Sequence, residues 1–185
     1  MSILDIRVLG DPVLRQETTP VATVTNDIRQ LIDDMFETMR AARGIGLAAP
    51  QVGRLERVAV VDVDDGSGPL ALVNPEIVTS DGAVRGEEGC LSIPDVFGDV
   101  ERALSIEVRA LDREGQAFAV KGSDLLARCL QHEIDHLHGK LFIDHLSFLK
   151  RRAALDQWAK LKDKYPGLTL RPSAATAESH RDTEL

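Results

Sequence analysis

The chain predicts an α+β domain built on antiparallel β-sheet. Three observations carry that expectation. β-Branched apolar runs cluster between residues 57 and 120, helical periodicity flanks them on both sides, and strands never alternate regularly with helices as parallel sheet requires.

The first helix starts at Asn26, which can cap it, and carries Ile28, Leu31, Ile32, Met35, Phe36 and Met39 on one stripe. It stops near Arg43-Gly44. Residues 44–53 hold too many small residues for a regular element and read as a loop that brings backbone close to a ligand. Arg57 to Val63 is nearly all apolar and reads as a buried strand. Asp64 to Pro69 is a turn, Leu70 to Val73 a second strand, and a third follows Pro75 and turns at Asp81-Gly82. Leu104 to Leu111 alternates as a half-buried strand and turns at Asp112 to Gly115 into a short strand over Gln116 to Val120. Ser123 caps a helix running to about His138, with Gly139 as its stop. A last helix spans roughly Ser147 to Lys164. Residues 1–165 are expected to form one domain, and 166–185, poor in apolar residues, a mobile tail.

Composition narrows the function. Hydrophobic residues make up 43% and charged residues 28% of the 185, as in ordinary globular chains. No apolar run is long enough to span a membrane, and no secretory signal is visible. A net charge of −8 argues against a nucleic-acid substrate, because phosphate binding needs a basic face. The two cysteines, Cys90 and Cys129, read as reduced thiols. A cytoplasmic protein is expected.

His132-Glu133-Ile134-Asp135-His136 lies within the capped helix. Residues four apart share a helix face, so both imidazoles can meet one ion, and Glu133 can reach a water on it without ligating. Two incidental histidines are the alternative. A catalytic site usually takes three protein ligands. In a HExxHxxGxxH pattern Gly139 matches but the last position is Phe142, and the downstream acids Glu178 and Glu184 fall in the expected tail. Cys129 precedes His132 by three, but Cys129, His132 and His136 span about 10 Å of helix axis and cannot converge on one ion. It reads as a small apolar pocket residue. Cys90 remains the best third ligand, although a buried thiol without a role fits it equally until its neighbours are read.

Those neighbours complete a pattern. Gly44 to Gln51 resembles the GxGxAAxQ motif of the peptide deformylases, Glu88 to Ser92 their EGCLS motif, and Gln131 to His136 their QHExxH motif. The order and spacing agree, and Leu9 to Arg15 is similar to the family's usual start. The resemblance covers about residues 3 to 150. It implies antiparallel sheets packed around a central metal-binding helix, with an N-terminal and a C-terminal helix. It implies removal of the N-formyl group from the N-terminal methionine of new proteins, with release of formate. Cys90, His132 and His136 correspond to the ligands of one divalent ion, and Glu133 to the general acid/base. Iron(II) is expected natively, with zinc, nickel or cobalt able to replace it. Gln51 and the Leu91 backbone N–H correspond to oxyanion donors. Ile45 and Gly46 correspond to the edge that pairs with an extended N-formyl-methionyl peptide. Ile45, Leu91, Leu125, Cys129 and His132 line the methionine pocket in the family, and Glu88 and Gly89 are grouped with the substrate contacts. Phe97 receives no role, and Arg102 either pairs with Glu88 behind the metal or faces solvent.

Two rivals remain. A zinc endopeptidase shares the helix but takes its third ligand from a downstream His or Glu. A catalytically dead binding module would be expected to lack Glu133 or Gln51, and both are present. Lys150, Arg151 and Arg152 could contact the ribosome, or simply form a solvated helix face.

Overall fold

A computed structural model describes residues 2–172. A two-residue strand, β1 (Ile6–Arg7), precedes helix α1 (Asn26–Ala41). Thr25, one residue ahead of the expected cap, accepts the hydrogen bond from Ile28 N–H, and Asn26 is already helical. The expected stripe is the buried face: Ile28, Leu31, Ile32, Met35 and Met39 are all in the core.

The small-residue segment that follows is more regular than expected. Gly46–Ala48 form strand β2, and Ala49–Val52 a 3-10 turn. Small side chains are compatible with a strand here because β2 pairs antiparallel with β3 (Val58–Val61), which shares the backbone bonds. Strand β3 is buried throughout, and its alternation explains how. Val58 and Val60 pack with α1, whereas Val61 packs with the second long helix. A strand covered on both faces reads as a continuous apolar run.

Pro75 does not separate two strands. Strand β4 runs unbroken over Leu70–Asp81, because Pro75 falls at a register shift between Val73 and Glu76. Asn74 takes a positive φ of 52° there, and a bulge is one of the few strand sites where the missing proline N–H costs no ladder bond. Strands β5 (Val84–Glu88) and β6 (Gly98–Arg102) form a separate hairpin that sequence periodicity did not reveal. Strands β7 (Ser105–Leu111) and β8 (Ala117–Ser123) complete a five-stranded antiparallel sheet of order β2-β3-β4-β7-β8.

Helix α2 (Asp124–Leu137) follows Ser123, which holds the N-cap position without the expected side-chain capping bond, and packs on β2, β3, β7 and β8. Gly139 ends it with φ 68°, and a Cβ there would run into the Arg15 carbonyl. Helix α3 (Phe148–Leu161), capped by Ser147, seats Ala154 and Trp158 against Leu14, Val96, Val100 and Phe142.

Regular structure continues past residue 165, as far as residue 170. Thr169–Leu170 form strand β9, paired antiparallel with β1. The cause is apolar: Leu168 and Leu170 pack onto the cluster around Trp158. Of the expected tail, residues 173–185 lie outside the described residues.

Candidate active site

Helix α2 sets two of the site's groups by its own period. His132 and His136 are one turn apart, both buried, with their Nε2 atoms 3.2 Å from each other. The third group arrives from far along the chain. The β5–β6 hairpin delivers Cys90 two residues beyond β5, and its Sγ lies 3.3 Å from His136 Nε2. The three donor atoms all fall within 4.8 Å of one another.

This donor set fits a single ion. Metal–nitrogen bonds of about 2.1 Å and metal–sulfur bonds of about 2.3 Å place tetrahedral ligands roughly 3.3 to 3.8 Å apart. The observed separations of 3.2 and 3.3 Å match, and two imidazoles with one thiol are borderline-soft ligands suited to a late divalent metal. Burial also pulls His136 well below its ordinary pKa, keeping it neutral, which is the form that ligates.

Glu88 fixes the orientation of His132. Its Oε2 lies 3.0 Å from His132 Nδ1. Burial alone would raise the Glu88 carboxyl, but the bonds from His132 and Arg102 hold it well below the usual carboxylate range. An ionised carboxylate only accepts, so Nδ1 carries the proton and Nε2 is the ring nitrogen turned towards Cys90 and His136. Arg102 is not a solvent-facing charge. It donates through Nε and Nη2 to both Glu88 oxygens at 2.8 and 3.0 Å, and through Nη1 to Asp135 at 2.6 Å. The Glu88 side chain is fully buried among these donors, which leaves only its backbone for a substrate.

Glu133 is 1% exposed, and its Oε2 has no hydrogen-bond partner among the described residues. Burial pushes its carboxyl up to about 7, with Glu88 adding and His132 opposing. Gly46 makes this placement geometrically feasible: a Cβ there would overlap Glu133 Oε1 and come within 2.8 Å of Cys129 Sγ. Cys129 stands apart from the ligand group. Its Sγ donates to the Ile45 carbonyl at 3.5 Å, and burial, with Glu133 and Glu88 nearby, keeps it a neutral thiol.

Gln51 is buried in the 3-10 turn after β2. Its Oε1 accepts from Ala48 N–H at 2.8 Å, so its amide NH2 faces Ser92 Oγ at 3.2 Å and Cys90 Sγ at 3.7 Å. Leu91 is buried beside Cys90, and a Cβ on Gly44 would come within 2.6 Å of its Cδ1. Gly89 lies under the Phe97 ring, where a Cβ would come within 2.9 Å of two ring carbons. Ile45 is buried with Leu126, Cys129 and Leu130, while Leu125 is 44% exposed at the start of α2.

Arg128 and Asp135 were missed by the sequence reading. Both reach partners dozens of residues away, so spacing alone carried no signal for either, apart from their positions one turn before His132 and one residue before His136.

Residues 3–152 match the family model described as polypeptide deformylase. A peptide deformylase of Alkalilimnicola ehrlichii is 56% identical over 163 residues, covering 87% of this chain and 92% of the relative. The crystal structure of a Legionella pneumophila peptide deformylase superposes with a TM-score of 0.82 at 48% identity, over 89% of this chain and all of the other. An Ehrlichia chaffeensis peptide deformylase, solved in complex with actinonin, superposes at 0.84 with 42% identity, over 90% and 99% of the two chains. This chain belongs to the polypeptide deformylase family.

Proposed function

We propose that Cys90, His132 and His136 hold the divalent ion of this deformylase and that Glu133 moves the protons of the reaction. The reaction is the family's: hydrolysis of the N-formyl group on the N-terminal methionine of newly made proteins. The convergence of three metal-ligating atoms from two distant segments, with a buried carboxylate alongside, supports this assignment most strongly.

When bound, the ion acidifies a water and polarises the formyl oxygen. Glu133, as carboxylate, takes a proton from the attacking water as its oxygen bonds to the formyl carbon. The negative charge that develops on the formyl oxygen meets the Gln51 NH2 and the Leu91 N–H. Glu133 then returns the proton to the methionine nitrogen as the C–N bond breaks. Formate leaves, and the peptide is left with a free amine. Strand β2 is an edge of the main sheet, so the backbone of Ile45 and Gly46 is assigned to pairing with the extended peptide. Ile45, Leu91, Leu125, Cys129 and His132 are assigned to the methionine pocket, with Gly89 beside it.

Iron(II) is the proposed native ion, with zinc, nickel and cobalt as substitutes. Residues 1–165 are proposed to act as one catalytic domain in the cytoplasm. Lys150, Arg151 and Arg152 on α3 are the proposed ribosome contact. No helix among the described residues is long and apolar enough to cross a membrane. Formate release from formyl-Met peptide, set against cleavage of unformylated peptides, tests the assignment. Formate release with intact internal amides is expected. Internal cleavage would favour an endopeptidase.

A further inference from the structure

Arg128 sits one turn ahead of His132 on the same face of α2, and its guanidinium is almost wholly enclosed. Nη1 donates to Glu88 Oε1 at 2.8 Å and to the Val100 carbonyl at 3.0 Å, and Nη2 donates to the Val84 carbonyl at 2.9 Å. One side chain of α2 therefore grips both strands of the β5–β6 hairpin as well as the carboxylate that orients His132. The ligands come from those same two bodies. Helix α2 carries His132 and His136, and β5 leads straight into Cys90. Arg102 and Asp135 form a second tie between hairpin and helix, at the His136 end.

We propose that Arg128 is a positioning residue for the metal centre: by locking the hairpin to α2 and fixing Glu88, it sets the distance between Cys90 and the histidine pair and so governs retention of the ion. The proposal rests on the ligand assignment above. A planar, permanently charged fork suits this task, because it serves a carboxylate and backbone carbonyls on two strands at once. Lysine offers a point charge and cannot span all of these acceptors. Without the fork, Glu88 loses a charge-assisted bond and the Val84 and Val100 carbonyls lose a buried donor.

The test is the rate at which cobalt-loaded protein gives up its ion to excess chelator, followed by the visible absorption of the bound cobalt. Groups that orient metal ligands typically contribute about 10- to 100-fold to affinity. Arg128→Met is expected to lose cobalt about 10- to 100-fold faster than wild type, with shifted absorption bands and an unchanged KM for formyl-Met peptide at saturating metal. Arg128→Lys is expected to fall between the two. A folded R128M that melts lower but keeps the wild-type spectrum and release rate would make Arg128 merely structural and overturn the proposal. If R128M does not fold, R128K decides: release several-fold faster than wild type supports it, and a wild-type rate overturns it. Cys90→Ala run alongside separates the two levels. Cobalt retained without Cys90 overturns the ligand assignment and this proposal together, whereas cobalt lost from C90A but held normally by R128M rejects Arg128 alone.

Discussion

Glu133 and Cys129 lie against the same face of Gly46, so a single absent side chain gives the Glu133 carboxylate its room. That glycine was legible in the sequence as part of a run of small residues, but its partner across the site was not. His132, Glu133 and His136 could be read directly, because a helix fixes which residues share a face. Cys90 could be reached only by elimination and by its neighbours, since the contact with His136 spans 46 residues. Gln51 carries the residue-scale prediction. Its NH2 is aimed by the bond its Oε1 accepts from Ala48, so Gln51→Ala removes both a donor and a buried anchor. Loss of one oxyanion donor costs about 100- to 1000-fold in kcat. Steady-state formate release by metal-loaded Q51A checks this, and a loss under tenfold would take the donor role from Gln51.

At the level of elements, the helices were the most legible parts and the hairpins the least. Apolar spacing in α1 matches its buried face almost residue for residue. By contrast, Pro75 looked like a break and is a bulge inside the 12-residue β4. The reason lies outside the strand. Asn74 Oδ1 accepts from Val21 N–H and Asn74 Nδ2 donates to the Val21 carbonyl, both at 2.8 Å, so a remote segment holds the irregular turn. Removing that amide leaves two half-buried backbone groups without partners, at about 1–3 kcal/mol in total once solvent access is allowed for. Asn74→Ala should lower the urea midpoint accordingly while leaving kcat near wild type. An unchanged midpoint would mean the bulge is held by the strands alone. Strands β5 and β6 escaped the sequence reading because their residues are mostly charged or glycine, and their pairing shows no clean alternation.

Across the whole molecule, α1 and α2 cover opposite faces of one sheet, while the hairpin and α3 close the end that carries Cys90. The links between these layers are electrostatic at several points, which gives stability a defined pH dependence. Glu56, Glu88, Asp135 and Asp144 are all held below their ordinary carboxyl range, in each case because burial, which raises them, is outweighed by bonds and charges from Arg or His partners. A depressed folded pKa means that the unfolded chain takes up protons first. The stabilisation is therefore complete above the unfolded values of about 4 and is lost as pH falls through and below them. The urea midpoint should fall steadily from about pH 5 to pH 3, and Asp144→Asn should flatten part of that fall. A midpoint that rises on acidification would contradict the sign. The fold class was legible because pattern and period agree over most of the chain, and the resemblance in three motifs made the chemistry specific. The most direct test of the account is Glu133→Ala, assayed for bound metal by elemental analysis and for formate release from formyl-Met peptide. The account predicts the same metal content as wild type and almost no formate. Formate release near the wild-type rate, or loss of the metal with the carboxylate, would contradict it.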